Sequence, residues 1–489
     1  SVGIARTRGG PKFGIGLLKM SCLHQVARLF DFGKGGGHDQ AKSKQSVAHS
    51  RGLRFVLTGL LFASDVSLAG EFPPPLRAED FLDFDRDQAA LGQLLFYDKI
   101  LSGNRNIACS TCHHPDLGTS DGLSLGIGEG GIGLGSDRTA GSGENRIRKR
   151  IPRNAPGLWN LGAREIHTLF HDGRLSRSDV YGNGFNSPAE EWLPTGFNSI
   201  LAAQAVFPLV AQFEMAGNPK ENEIAGAVHD RIDAAWPILA KRVRTIPDYG
   251  DRFVASFEHI TEANQVTIVE IANALAAFMA VEWQSIDSPF DRYLSGDLSA
   301  LNEAQMAGAE IFYGKGNCSQ CHSGPLMSDQ KFHALSLPPF GPGRTRRFDP
   351  IVRDVGRMSE SDALEDAYRF RTPMLRNVAL TAPYGHNGAY PDLDGIIRQH
   401  LDPNRSRTNW RPKMAALPEV PWVSQIDFVV WQDQRELQRQ QQALDIVRVD
   451  LDDGEIRELV EFLGSLTGKN IATSPFGKPD RVPSGLSLD

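Results

Sequence analysis

Cysteine is scarce in this sequence of 489 residues, and it has no apolar run of membrane-spanning length. The chain has five cysteines, and four of them fall into two short motifs that leave no pair for a structural disulfide. The apolar run at 55–63 is too short to cross a bilayer as a helix, which takes about 20 residues. Hydrophobic residues make up 40% and charged residues 23%. These values exclude a disordered chain, a collagen, a coiled coil and a polytopic membrane protein.

Basic charge is concentrated at one end. Ten Lys/Arg and two Asp/Glu lie in residues 1–54, so the remainder is acidic and the net charge is −7. Nucleic acid is therefore not an expected partner, because phosphate binding requires a basic face.

Residues 51–69 have the layout of a secretory signal. Arg51 and Arg54 precede the apolar run, and a small-x-small cleavage site follows at 67–69. We expect residues 1–50 to be an upstream extension and the working protein to start near Gly70. The mature protein is then exported and has no membrane span.

Two C-x-x-C-H motifs are the strongest chemical signal in the chain. In each motif two thiols reach the two vinyl groups of one porphyrin, and the adjacent histidine reaches the iron as its proximal ligand. The motifs predict two covalently bound haem c groups held by Cys109, Cys112, His113, Cys318, Cys321 and His322.

Zinc and redox chemistry are the alternatives for these cysteines. A zinc ribbon needs C-x-x-C halves about 15–20 residues apart, whereas these begin at Cys109 and Cys318. A thioredoxin-like dithiol needs a βαβ context, which the sequence does not indicate.

The sequence around the motifs repeats. Gly92 and Gly308 each stand four residues before a Phe-Tyr pair, inside a predicted helix. A small residue there lets the helix approach a neighbour closely. Together with apolar periodicity further along, this predicts a duplicated, mainly α fold of two packed cytochrome-c-like domains, with helices at 87–97, 266–283, 302–313 and 455–466.

The ordered motifs resemble the bacterial diheme cytochrome c peroxidase family, which includes the MauG-type enzymes. The similarity covers roughly residues 75–470, and within the family the chain resembles the MauG-like branch found beside methanobactin gene clusters. It rests on the two haem motifs and four further stretches: 153–156, 170–174, 370–378 and 381–388.

The resemblance implies a periplasmic oxidoreductase that uses hydrogen peroxide. The MauG-like interpretation is a first haem that forms a high-valent state and oxidises a side chain on a partner protein. One alternative is a conventional cytochrome c peroxidase with a small redox protein as donor. Another is a diheme electron carrier.

At the first haem, the resemblance implies that Glu214 is the distal acid–base and that Gln204 positions peroxide or water. Conventional members place a displaceable histidine after the first motif, but residues 115–166 contain no histidine. We therefore expect His113 to be the only protein ligand. We also expect His114 at the surface and residues 122–143 as a flexible loop.

At the second haem, the family's distal ligand position falls on His400. The resemblance implies bis-histidine ligation by His322 and His400, with Tyr384 and Tyr390 as rival ligands. Two imidazoles favour the higher oxidation states more than a His/Met pair does.

Between the haems, the family's bridging tryptophan is replaced by His171. We expect either His171 or Trp159 to relay charge. The resemblance also implies calcium ligation by Asn154, Thr381 and Pro383, whose oxygen donors suit a hard cation.

The predicted organisation has four parts and one insertion. The insertion at 403–447 contains Trp410, Trp422 and Trp431, for which core packing is expected and a docking surface that passes holes to a protein substrate is the alternative. The parts are an extension with signal (1–69), a peroxidatic domain (70–288), an electron-transfer domain (289–470) and a tail (471–489).

Overall fold

The computed structural model describes residues 71–344, 352–469 and 474–489. The predicted extension, signal and start of the working protein lie outside these residues. The described helices are α1 Arg86–Tyr97, α2 Cys109–Cys112, α3 Ile200–Ala205, α4 Glu223–Asp230, α5 Trp236–Arg244, α6 Pro247–Ser256, α7 Ile268–Glu282, α8 Pro289–Leu294, α9 Glu303–Tyr313, α10 Met358–Ser361, α11 Leu393–Leu401, α12 Pro403–Asn409, α13 Gln434–Ala443 and α14 Asp453–Gly464.

Strands are short and form two small antiparallel sheets. The first pairs β1 Thr168–Leu169, β2 Leu175–Arg177 and β3 Phe185–Asn186 in that order, and the second pairs β4 Phe332–His333 with β5 Phe370–Arg371. In the second sheet Phe332 lies opposite Arg371. The prediction of a mainly α fold is confirmed.

The duplication appears as two equivalent helix crossings. A Cβ on Gly92 in α1 would lie 1.9 Å from the Ala274 carbonyl oxygen of α7, and a Cβ on Gly308 in α9 would lie 1.9 Å from the Glu458 carbonyl oxygen of α14. Both glycines therefore allow backbone contact that a side chain would prevent, as the repeat predicts.

Aromatic rings pack beside each crossing in the same way. The ring centroids of Phe96 and Phe278 are 5.3 Å apart, and those of Phe312 and Phe462 are 5.2 Å apart. Such pairs stabilise a core beyond their buried area. The Phe-Tyr pairs of the repeat therefore build two matching cores.

The four predicted helices are present, and side-chain caps set their first residues. Asn302 accepts a hydrogen bond from the Gln305 amide, so it is the N-cap of α9. Asp452 accepts from the amides of Gly454 and Glu455. Because Asp452 caps that helix, α14 begins two residues earlier than the periodicity indicates.

The two largest hydrophobic clusters among the described residues form one core in each half. The first is built mainly from residues 76–283 and the second from residues 290–466. Val482 of the tail is buried in the first core. No helix among the described residues has both the length and the apolar character that crossing a membrane requires.

Candidate functional site

The first haem motif folds into the short helix α2 followed by His113. The His113 amide donates to the Cys109 carbonyl over 2.9 Å, so the histidine follows the helix directly. Its Nδ1 lies 3.0 Å from the Thr119 carbonyl oxygen. Because a carbonyl only accepts, Nδ1 carries the proton and Nε2 keeps its lone pair for a metal. Burial lowers the pKa of His113, which favours this neutral form.

The second motif repeats the arrangement. The His322 amide donates to the Cys318 carbonyl over 3.0 Å, and Nδ1 lies 3.2 Å from the Met327 carbonyl oxygen. Burial, followed by the effect of neighbouring His400, lowers the pKa of His322 to about 4. All four motif cysteines are free thiols in the structure, as thioether formation requires.

His400 in α11 lies next to His322. The two ring centroids are 6.2 Å apart, and His400 Nδ1 lies 2.8 Å from the Ile396 carbonyl oxygen. Two imidazole nitrogens bound to one iron at about 2 Å each place the ring centres about 6 Å apart. The structure therefore brings together the two histidines that the resemblance pairs.

The rival ligands use their hydroxyl groups elsewhere. Tyr384 donates to the Val378 carbonyl over 3.0 Å, and Tyr390 donates to Gln399 Oε1 over 2.6 Å. The geometry favours His400 over both tyrosines.

Other buried polar groups also fit two haems. The hydroxyls of Tyr97 and Tyr313, at equivalent positions in the repeat, are buried without a hydrogen-bond partner. The Arg371 side chain donates only to the Phe170 and Thr372 carbonyls among the described residues, and burial lowers its pKa to about 10. A buried guanidinium without a carboxylate suits an anionic haem propionate.

Glu214 lies in the π-helical turn Gln212–Ala216. It interacts electrostatically with Cys112 of the first motif. Burial raises the pKa of its carboxyl group, and Arg174 and Arg344 oppose that rise. Among the described residues its carboxylate accepts no hydrogen bond. A half-buried acid beside the first haem motif has the properties that proton transfer needs.

Gln204 is the penultimate residue of α3 and lies close to Glu214 in the chain. Its carbonyl accepts the amide of Phe207 over 3.2 Å, and its half-buried side-chain amide has no hydrogen-bond partner in the described part of the chain. A 3-10 turn at Pro208–Val210 then leads towards Glu214. Both polar side chains are thus free to bind a small ligand.

Two expectations about the first haem region are wrong. His114 is buried, with 7% of its surface exposed, and it accepts the Asp116 amide. Residues 123–131 are buried too, so 122–143 is not a loose loop. A Cβ on Gly128 would meet the Phe213 carbonyl at 1.9 Å, which places this loop against the Glu214 turn. Arg138 anchors the loop through the carbonyls of Ile127, Gly128 and Gly133.

The two predicted relay residues have different surroundings. His171 Nε2 lies 3.1 Å from the Asn154 carbonyl oxygen, and burial, followed by Arg153, lowers its pKa to about 4. His171 is therefore neutral. The Trp159 indole donates to the Gly118 carbonyl over 3.0 Å, which holds that ring beside the loop that follows the first motif.

The residues predicted to bind calcium make other contacts. The Asn154 side chain donates to the Leu123 carbonyl over 2.8 Å, and the Thr381 hydroxyl donates to the Val378 carbonyl over 3.1 Å. Pro383 follows a cis peptide bond. These contacts leave the backbone carbonyls of Thr381 and Pro383 and the Asn154 side-chain oxygen as the donors, and calcium binding stays a prediction.

Sequence reasoning missed a buried ionic network. Arg153 donates to Asp172 over 2.6 Å and to Asp354 over 2.8 Å, and Asp172 also pairs with Arg174 and Arg344. These arginines hold the pKa of Asp172 well below its usual range. Arg153, Asp172 and Arg174 stand inside the stretches that carry the resemblance, so the signal was present but not interpreted.

Cys321, Asp329 and His333 also form a compact group, with one ligand atom from each within 4.8 Å of the others. Because the motif commits Cys321 to haem attachment, the group does not define a separate metal site. His333 Nε2 and Asp329 instead form an ion pair at 2.9 Å.

Comparison with known proteins agrees with this geometry. The family profile described as di-haem cytochrome c peroxidase matches residues 86–299. The chain is 28% identical over 381 residues to cytochrome-c peroxidase IdrP1 of Denitromonas iodatirespirans, which covers 72% of this chain and 84% of that protein. It is 27% identical over 325 residues to methylamine utilization protein MauG of Methylorubrum extorquens, covering 66% and 70% respectively.

A solved structure described as a MauG-like protein associated with microbial copper homeostasis has the same fold. The TM-score is 0.55 at 26% identity, covering 86% of this chain and 99% of that one. Two helical halves, each with a haem-attachment motif, define a diheme c-type cytochrome. Over residues 86–299 the chain matches the di-haem cytochrome c peroxidase family, which includes MauG, and it is an oxidoreductase that acts on peroxide.

Proposed function

We propose that the protein is a periplasmic, MauG-like oxidase that uses hydrogen peroxide to oxidise a side chain of a partner protein. The observation that carries this proposal is the pairing of His322 with His400 at a ring-centroid distance of 6.2 Å. A bis-histidine iron favours higher oxidation states, which suits a second haem that shares oxidising equivalents. The absence of histidine from 115–166 gives the first haem no displaceable ligand there.

The chain's own residues supply attachment, orientation and proton transfer. Cys109 and Cys112 would hold the first haem, and the hydrogen bond from His113 Nδ1 to the Thr119 carbonyl fixes that ring with Nε2 available as the ligand that the iron would need. When bound, the haems supply the electron storage that peroxide reduction requires. Hydrogen peroxide accepts two electrons and two protons and yields two waters, while the partner side chain loses the two electrons.

Glu214 moves a proton within the bound peroxide. Its carboxylate takes a proton from one peroxide oxygen and gives that proton to the other oxygen. The second oxygen then leaves as water. Gln204 offers a donor and an acceptor to position peroxide or water. The raised pKa of Glu214 makes it a better base than an exposed carboxylate and a usable acid in the following step.

The solution test adds peroxide to the as-isolated diferric protein. We expect a rapid optical change at both haems without prior reduction. A requirement for reduction of one haem would instead assign the conventional peroxidase function, which the name of the IdrP1 relative supports. If peroxide reacts under neither condition, the diheme electron carrier is the function that remains.

Partner identity is a separate question. We infer that the partner is a protein encoded beside this one, as in the methanobactin-associated branch, and the 26% identity to the copper-homeostasis protein supports that branch. Mass spectrometry of neighbouring gene products, before and after peroxide and enzyme, should show oxygen added to one side chain. Unmodified products would exclude these partners.

A further inference from the structure

The insertion at 403–447 is packed against the rest of the protein. Arg150 and Asp427 form a buried pair at 2.9 Å, with 1% and 2% of their side-chain surface exposed. The Ser124 amide donates to the Ala416 carbonyl over 3.0 Å. The insertion is therefore held against the segment that contains Ser124 and Arg150.

One tryptophan of the insertion connects to the α11 ligand helix. The Trp410 indole is fully buried and donates to the Ala389 carbonyl over 2.7 Å. The next residue, Tyr390, donates to Gln399 Oε1 over 2.6 Å, and Gln399 precedes His400. Covalent bonds and two hydrogen bonds thus link Trp410 to the residue beside the second haem's ligand.

The same ring leads outwards to a second tryptophan. The centroids of Trp410 and Trp431 are 5.8 Å apart. Trp431 is partly exposed and borders a cleft of 510 Å³, whose other lining residues include Arg407, Leu437 and Gln438 and no acidic residue. A pair of touching indoles therefore joins the interior to the surface.

Neighbouring groups suit Trp410 to transient oxidation. Phe340 stacks on it at 5.5 Å with an interplanar angle of 13°, so the negative face of that ring lies against the indole. The Ala389 carbonyl dipole points at its N–H. Both groups stabilise positive charge on the indole.

Trp422 lies in the same insertion but has the opposite surroundings. The Arg146 guanidinium sits 4.4 Å above its ring, and the indole donates to the Ile147 carbonyl over 2.8 Å. A fixed positive charge opposes removal of an electron from the ring. Trp422 is 36% exposed, so it serves as a matched control.

We propose that Trp431 is the point where electrons enter from the partner protein and that Trp410 relays them towards the second haem, an inference that rests on the proposed function. Each of the two one-electron steps has three transfers. Trp410 gives an electron towards the second haem, Trp431 reduces the oxidised Trp410, and an aromatic side chain of the partner then reduces Trp431. Both indoles return to their starting state. The partner loses two electrons, and hydrogen peroxide takes them up with two protons to give two waters.

The test uses the holoenzyme with hydrogen peroxide alone. Without a partner, an oxidised Trp431 reacts with water and a second oxidation gives oxygen-added tryptophan, one peroxide being consumed for each oxygen atom added. Peptide mass spectrometry locates the product. We expect the modification at Trp431, a decrease of at least tenfold there in Trp410→Phe, and no change there in Trp422→Phe.

Peroxide consumption in the first turnover separates the two ways of failing. If wild type does not consume peroxide without prior reduction, the proposed function fails. If it does, and Trp431 remains unmodified or is modified equally in Trp410→Phe, the relay is wrong. Because Trp410 is buried and its replacement can disturb the fold, Trp431→Phe is the second variant. It leaves Trp410 without a water-accessible neighbour to oxidise, so we expect peroxide consumption without an oxygen-added product in residues 403–447. Oxygen addition elsewhere in 403–447 at the wild-type amount would also overturn the relay.

Discussion

At the residue scale, the proposed function assigns proton transfer at the first haem to Glu214. Glu214→Gln keeps the shape and removes the titratable oxygen, so we expect the rate constant for reaction with peroxide to fall about 10²–10⁴-fold. Stopped-flow absorbance measures it. Glu191→Gln, on an exposed side chain, should react at the wild-type rate, and an equal loss there would point to a nonspecific effect.

The pH dependence of that rate has a definite sign. Only the ionised Glu214 carboxylate accepts a proton, and its raised pKa moves ionisation to higher pH. Arg174 and Arg344 are the charged groups that act on Glu214. The wild-type rate should therefore rise as pH increases through that pKa, and the rise should vanish in Glu214→Gln. A rise that persists would assign it to another group.

His400 can be tested by spectroscopy. His400→Ala should lose the bis-imidazole low-spin signal in near-infrared or magnetic spectra, because its ring is the one beside His322. His400→Met should show a His/Met signal and a higher potential. A bis-imidazole signal in both variants would contradict the assignment.

Burial of Asp121 makes the free energy of unfolding decrease as pH rises. It is 2% exposed, and burial raises its pKa to about 7, whereas in the unfolded chain it titrates near 4. Between these values the unfolded chain releases a proton that the folded chain keeps, so Asp121 lowers stability as pH rises, by up to about 4 kcal/mol. Asp121→Asn should lack this decrease when unfolding is measured at about pH 4.5 and about pH 7.5. Parallel profiles would refute it.

Asp121 and the arginine network also show where sequence reasoning stopped. The haem residues follow from spacing, since C-x-x-C-H fixes their order and chemistry. The burial of Asp121, and the pairing of Arg153 with Asp354 across about two hundred residues, depend on tertiary contacts. Neither periodicity nor a local motif encodes such contacts, so the sequence showed the residues without their partners.

At the element scale, the glycine crossings are the feature that the repeat predicts best. A small residue at the same position before each Phe-Tyr pair has one physical reason in both halves, the backbone contact of α1 with α7 and of α9 with α14. The helix ends were less accurate, because capping by Asp452 overrides the apolar pattern of α14. The loop at 122–143 was misjudged, since its glycines serve close packing as well as turns.

Gly92→Ala and Gly308→Ala should each separate one helix pair. The added methyl would meet a backbone oxygen that cannot rotate away, so we expect a loss of about 1–3 kcal/mol or more. Gly226, in the interior of α4, has nothing within 4 Å of an added Cβ. Gly226→Ala should therefore raise stability by up to about 1 kcal/mol. Denaturant unfolding measures all three, and equal effects would show that the crossings are not close contacts.

At the scale of the whole molecule, the insertion connects regions that the haem motifs alone leave apart. Leu123, Ile127 and Ile147 pack with Val420 and Val423, and the loop that carries the first two residues lies against the Glu214 turn. The part of the insertion that contains Trp410 reaches the segment that leads into the helix of His400. The inserted segment therefore packs against the loop beside the Glu214 turn and also reaches the segment that leads into the helix of His400, which is the placement that the proposed route through Trp410 and Trp431 requires.

A buried ion pair between Arg150 and Asp427 contributes to the docking of this insertion. Asp427→Ala leaves the Arg150 guanidinium buried without its carboxylate, and we expect a loss of about 3–5 kcal/mol together with faster proteolysis between 403 and 447. The double variant Arg150→Met/Asp427→Leu replaces both charges by apolar groups of similar size, so it should recover most of that stability. Asp248→Ala, which removes the exposed partner of Arg252, should cost less than about 1 kcal/mol. If the double variant recovers stability, the loss in Asp427→Ala comes from leaving Arg150 buried without a partner. If the double variant is as unstable as Asp427→Ala, the attraction between the two charges itself holds the insertion in place.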